Sequence, residues 1–133
     1  MANKSMYFGE ATEHLVVSKL LNEDREVYRP VVDDHGIDIL VKSKAGASDD
    51  YQEIQVKSKA SKGLFAGIKC PKPKRNYWFI FYVKARNEFW LINSVNFVKI
   101  ASQNKKGLHA GTYSITITSK KAPAPVPNFN AIP

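Results

Sequence analysis

Cysteine is nearly absent from this chain. The single residue, Cys70, excludes an internal disulfide, and with only three scattered histidines it excludes a Cys/His zinc pattern. No apolar run approaches the ~20 residues of a membrane helix. The longest, YWFIFYV at 77–83, has the length of a strand. The N-terminal stretch MANKSMYFGEATEH lacks the apolar core of a signal peptide, so a soluble, intracellular (cytoplasmic) protein with no membrane partner is expected. Acidic residues are scarce in one half. From Ile54 onward there is one, Glu88, against fourteen Lys and Arg, whereas through Glu53 eleven acids face six bases. The two parts carry −5 and +13, which sum to the net +8 of the chain. Such a split fits a surface for a polyanion, although solvated lysines alone would give the same count.

What is present suffices for one globular domain: 133 residues, of which 44% are hydrophobic. Phe8, Ala11, Leu15, Val16 and Leu20 recur at helical spacing and predict an amphipathic helix over about 7–22, with Ser5 as its N-cap. EVYRPVV predicts a first strand at 26–32 that Pro30 confines to an edge or an end. DDHG is a turn signal, IDILVKS a strand, KAGASDD a hairpin connection and YQEIQVKSK the returning strand. Residues 60–76 read as a loop rich in Gly, Lys and Pro. YWFIFYVK and FWLINS form a second hairpin, a short helix follows with Asn93 or Ser94 as cap, and GTYSITITS alternates as a last strand. The order is that of a mixed α/β domain over 1–121. A Pro-rich tail at 122–133 holds four of the seven prolines and is expected to be disordered or to dock on a neighbour.

YQEIQVKSK places Glu53, Gln55 and Lys57 on one parity and Ile54 and Val56 on the other, so three polar groups line one strand face. Paired with IDILV, the strand brings Asp38 to the same face, with Ile37, Ile39, Ile54 and Val56 turned to the core. A carboxylate beside an amide oxygen and the Val56 backbone carbonyl is an all-oxygen site suited to Mg²⁺ or Mn²⁺. Lys57 beside it would orient a water or stabilise transition-state charge. Glu13 on the first helix is placed to reach the same ion.

These residues carry a resemblance. Gly9 to Glu13 (G-x-x-x-E), RPVVDDHGIDILV and YQEIQVKSK together resemble the PD-(D/E)xK nuclease superfamily, in particular its small restriction-endonuclease-like and Holliday-junction-resolvase-like members. The match covers residues 9–59. It implies a restriction-endonuclease-like three-layer α/β core: a mixed central sheet, an N-terminal helix and a short second helix. It also implies a divalent-metal-dependent endonuclease hydrolysing DNA phosphodiesters. Glu13 would be the helix carboxylate, Asp38 the strand aspartate, and Gln55-Val56-Lys57 the triplet. The triplet departs from the pattern at Gln55, a neutral amide where the family has Asp or Glu. The loss of one charge lowers metal affinity. Glu10, His35 and Glu53 are candidates to lie just outside the ligands and support them. A non-catalytic nucleic-acid-binding or protein-interaction protein on the same fold is the alternative.

SKASKGLFAGIKCPKPKR (58–75) leaves the candidate strand without a single acid. Lys59, Lys62, Lys69, Lys72, Lys74 and Arg75 suit a loop that tracks the phosphates of duplex or branched DNA. Tyr77, Trp78, Phe79, Phe81, Tyr82, Phe89 and Trp90 alternate with aliphatic residues in two strands and read as core rather than as stacking platforms. Cutting both strands of a duplex with so small a chain implies a homodimer or higher homo-oligomer.

Overall fold

The alternating stretch YQEIQVKSK is the middle strand of a five-stranded sheet. The computed structural model describes residues 4–32, 36–60, 64–68 (64–67 as backbone), 73–104, 107, 110–116 and 123–133. In chain order the elements are α1 (Lys4–Asn22), β1 (Val27–Tyr28), β2 (Ile39–Lys42), β3 (Tyr51–Lys59), β4 (Leu64–Ile68), β5 (Tyr77–Val83), a 3₁₀ turn (Lys84–Arg86), β6 (Glu88–Asn93), α2 (Ser94–Ile100), β7 (Ser102–Gln103) and β8 (Tyr113–Thr116). The large sheet has the order β1-β2-β3-β5-β6 and is mixed, because β3 and β5 run parallel while their other pairings are antiparallel. A small sheet, β4-β8-β7, stands apart from it.

β5 is apolar at every position because both of its faces are covered. Ile80 and Tyr82 join Ile39, Val41, Ile54, Val56, Phe89 and Leu91 in a cluster closed by Val16 and Leu20 of α1. Tyr77, Phe79, Phe81 and Val83 join Trp90 and Ile92 in a second cluster, closed by Phe97 of α2, Ile68 of β4 and Ile115 of β8. Helix, sheet and a layer of α2 with the small sheet make the three-layer core that the resemblance implied. Most of the predicted core aromatics are core: the Phe79 and Phe97 rings meet edge-on with centroids 4.8 Å apart, and only Trp78 is half-exposed. Asn93 caps α2, its side chain accepting from the Val95 amide at 3.0 Å.

Several local expectations are corrected. α1 begins at Lys4, so Ser5 lies inside its first turn, and its buried stripe is Thr12, Val16 and Leu20 while Leu15 is exposed. β1 spans only two residues before Pro30, and β2 starts two residues after Ile37. The stretch read as loop contains β4, and the described part of the last strand, Tyr113–Thr116, pairs with β4 and β7, while residues 117–119 of its alternation lie outside the described residues.

The tail also differs from expectation, since residues 123–133 pack on their own domain. Phe129 and Ile132 are fully buried in the α1-side cluster. Val126, between Pro125 and Pro127, donates its amide to the Phe89 carbonyl at 2.7 Å. A sheet edge that needs one donor tolerates proline on either side of it. Arg25 is the clamp: its guanidinium donates to the carbonyls of Ile132 (3.0 Å), Pro133 (2.8 Å) and Lys42 (3.1 Å). It reaches them because α1 ends with Asp24 in the left-handed region (φ 59°), with Arg25 N–H returning to Leu20 C=O and Asp24 N–H to Leu21 C=O. Burial pulls the Arg25 pKa below its ordinary value, opposed by the charge of Glu23. No helix among the described residues is long and apolar enough to cross a membrane.

Candidate active site

Asp38 sits at the entry to β2, where the ladder to β3 is offset. Ile39 is the register partner of Ile54, yet it is the Asp38 amide that donates to the Ile54 carbonyl at 2.8 Å. This offset brings the Asp38 carboxylate onto the next donor along β3, and Asp38 Oδ2 accepts from the Val56 amide at 2.7 Å. The acid is thus fixed to the backbone of the residue between Gln55 and Lys57. The N–H and C=O of one strand residue point to the same neighbouring strand, so the Val56 carbonyl lies on the Asp38 edge too.

Gln55 and Lys57 follow on the face they share with Tyr77, Phe79 and Phe81, because Glu53, Gln55 and Lys57 pair in register with those three residues. This face is covered by the second cluster. The polar row is therefore partly covered, with Gln55 only 9% exposed and Lys57 half-buried. Ile39, Ile54 and Val56 turn to the α1 side as expected, but Ile37 packs on the opposite cluster, since it precedes β2 and does not share its pleat.

The structure gives several candidates internal partners. Glu13, on α1, accepts from Arg29 at 2.9 Å, and the same guanidinium reaches Glu10 at 3.2 Å, which also faces His14 at 3.2 Å. Glu53 is enclosed and forms an ion pair with Lys74, without hydrogen-bond alignment at its Oε2. Arg75 forks onto Asp49 at 2.9 and 3.3 Å, which raises its pKa above the ordinary value. Ser94, at the start of α2, holds Lys74 through both its amide and its carbonyl. Lys74 and Arg75 thus stand at the Glu53 end of β3, about 13 Å along the strand from Lys57. Lys59 continues the Lys57 face. His35, Lys62, Lys69 and Lys72 lie outside the described residues. Among the described residues, no three Asp, Glu, His or Cys side chains gather as a metal cluster.

Two contributors escape sequence reasoning. The Tyr77 hydroxyl lies 2.8 Å from Gln55 Oε1 and 3.1 Å from the Gly36 carbonyl oxygen, to which it can donate. Gly36 is in the left-handed region (φ 72°), and a Cβ there would meet the Tyr77 oxygen at 3.2 Å and Gln55 Oε1 at 3.3 Å. Only glycine both takes this turn and lets the backbone approach so closely. The signal available for Tyr77 was its type, since a buried tyrosine hydroxyl normally finds a partner. The parallel β3–β5 register that identifies that partner is not a local property.

The donors present (one fixed carboxylate, one amide oxygen and one carbonyl) are hard oxygen ligands, which fit Mg²⁺ or Mn²⁺ in kind but with little negative charge. Glu13, the other candidate carboxylate, is engaged by Arg29 through Oε1.

No family model and no curated protein matches the sequence. Solved structures do. A bacterial homing endonuclease, I-Ssp6803I, superposes with a TM-score of 0.60 at 14% identity, over 89% of this chain and 80% of that one. Hjc, a Holliday junction resolvase from the archaeal hyperthermophile Archaeoglobus fulgidus, superposes with a TM-score of 0.50 at 13% identity, over 85% of this chain and 92% of that one. The five-stranded mixed sheet, α1 on one face and α2 on the other are what the likeness rests on, and the chain therefore has the restriction-endonuclease-like fold.

Proposed function

We propose that this chain is a divalent-metal-dependent endonuclease that hydrolyses phosphodiester bonds in duplex or branched DNA, working as a homodimer or higher homo-oligomer. The observation that supports it is the locked Asp38, held at 2.7 Å to the amide of Val56 and so placed beside Gln55 and Lys57 on adjoining strands. Asp38, Gln55, the Val56 carbonyl and Glu13 would hold Mg²⁺ or Mn²⁺. When bound, the ion neutralises phosphate charge and lowers the pKa of a water to that of a usable nucleophile. Lys57 presents its ammonium group to the phosphoryl oxygens as negative charge builds up there. Glu13, held by Arg29 through Oε1, would contribute its carboxylate to the cation from α1. Lys59, Lys62, Lys69, Lys72, Lys74 and Arg75 serve the DNA backbone, the last two after giving up Glu53 and Asp49.

The test is a cleavage panel of duplex, nicked, flapped and four-way DNA with Mg²⁺ and with Mn²⁺, run beside Lys57→Ala. Wild type cuts at least one substrate, and Lys57→Ala cuts it at a rate lower by about 10²–10³-fold. DNA left intact throughout refutes the enzymatic reading. The Glu13–Arg29 pair and the neutral Gln55 favour a second reading, a nucleic-acid-binding protein without catalysis. Calorimetric titration with Mn²⁺ separates the two: absence of binding by both wild type and Asp38→Ala selects the second.

A further inference from the structure

We infer that Tyr77 is a positioning residue that sets which end of the Gln55 amide faces the cation; the inference rests on the metal-site reading above. Tyr77 Oη is within 2.8 Å of one end of that amide and 3.1 Å of the Gly36 carbonyl oxygen. A phenol has one proton. The Gly36 carbonyl is an acceptor only, whereas the amide has an acceptor end and a donor end of nearly the same size. With Oε1 against the phenol, two acceptors compete for one hydrogen. Half a turn about Cγ–Cδ removes the conflict: Nε2 donates to Oη, and Oη donates to Gly36. Each hydrogen is then used once, in a chain whose members polarise one another. At a residue only 9% exposed, satisfying both acceptors decides the orientation.

The consequence is chemical. With nitrogen on Tyr77, Oε1 is the opposite end of the amide, and oxygen is what a hard cation takes. A carboxylate at this position has two equivalent oxygens and needs no such guidance. Tyr77 matters here because residue 55 is an amide. The unsubstituted α-carbon of Gly36 leaves the space in which the three groups meet.

The experiment is a double-mutant cycle read by Mn²⁺ calorimetry, with melting temperatures alongside. Tyr77→Phe weakens Mn²⁺ binding about fivefold in the otherwise wild-type chain, the equivalent of one neutral hydrogen bond of ~1 kcal/mol. On the Gln55→Glu background the same substitution does not weaken it. An equal loss on both backgrounds overturns the inference, because a purely structural role does not distinguish amide from carboxylate. Amide orientation is read without metal by NMR of ¹⁵N-labelled protein: the Gln55 side-chain NH₂ shows an NOE to the Tyr77 ring protons flanking the hydroxyl. Its absence overturns the inference and leaves the metal site standing. Wild type that shows the NOE yet binds no Mn²⁺ locates the failure in the metal site and overturns the cation role with it.

Discussion

Asp38 carries a structural duty that can be separated from its proposed chemistry. Its Oδ2 is the acceptor for the Val56 amide at 2.7 Å, in a strand where Val56 is 9% exposed. Asp38→Ala leaves that amide without its acceptor, and an unsatisfied buried donor costs about 1–3 kcal/mol. Loss of charge assistance puts the substitution toward the upper end, because hydrogen bonds to ions are roughly twice as strong as neutral ones. Asp38→Asn keeps an acceptor oxygen of the same reach and loses only the charge, for a cost of about 1 kcal/mol. For a chain of this size one kcal/mol corresponds to roughly 4 °C in melting temperature. Asp38→Asn therefore melts about 4 °C below wild type and Asp38→Ala about 8–12 °C below it. Calorimetric melting checks the stability of both variants, and Mn²⁺ titration with DNA cleavage checks their chemistry. Both variants lose metal binding and cleavage, since an amide at position 38 beside the amide at 55 leaves no fixed carboxylate. Equal melting temperatures for the two variants would refute the structural half. Retained cleavage by either refutes the metal-site half.

The remaining predictions concern the frame that carries the site. Phe129 is fully buried, edge-on to Phe89 at 5.4 Å between centroids, and the tail that bears it is tied to Arg25. Phe129→Ala costs about 3–5 kcal/mol and lowers the melting temperature by more than about 10 °C. A loss below ~3 °C would mean that the tail is not part of the core. Asp24 holds a left-handed conformation at the end of α1, so Asp24→Gly stabilises by about 0.5–1 kcal/mol in urea unfolding, and a neutral or negative effect contradicts the terminus described.

The strands were legible where the pattern is local. YQEIQVKSK runs from Tyr51 to Lys59 as its alternation indicates, because every second residue faces a different cluster. YWFIFYV betrays burial on both faces by having no polar position. Asn93 is readable as a cap from its residue type alone. The contacts that were not legible join distant parts of the chain. Arg25 and Ile132 are 107 residues apart, and a proline-rich tail advertises only that it is no sheet interior. Tyr77 and Gln55 meet through a parallel register, which a crossover decides and neither strand encodes by itself. Asp38 and the triplet were singled out as candidates from motif and face, but the one-residue offset that turns Asp38 onto the Val56 amide is a property of the folded ladder. Glu13 was legible as a helix acid, whereas Arg29, its partner, lay in a stretch read only as strand.

The cover on both sides of the sheet also bears on why residue 55 is an amide. The polar row shares its face with Phe79 and Phe81, so each polar group there must find a partner inside the protein or pay for desolvation. Asp38 has the Val56 amide, Glu53 has Lys74 and Gln55 has Tyr77. A carboxylate at 55 would be a further buried negative charge next to Val56, whose amide Asp38 already holds. Burying an unpaired charge costs several kcal/mol, whereas a hydrogen-bonded amide costs far less. Stability of the metal-free fold thus favours glutamine, and metal affinity favours glutamate. The hydroxyl of Tyr77, the register partner of Glu53, fits this balance: a neutral phenol satisfies an amide without adding a charge of its own. In the proposed site Gln55 is thus the oxygen donor that can stay buried before an ion binds.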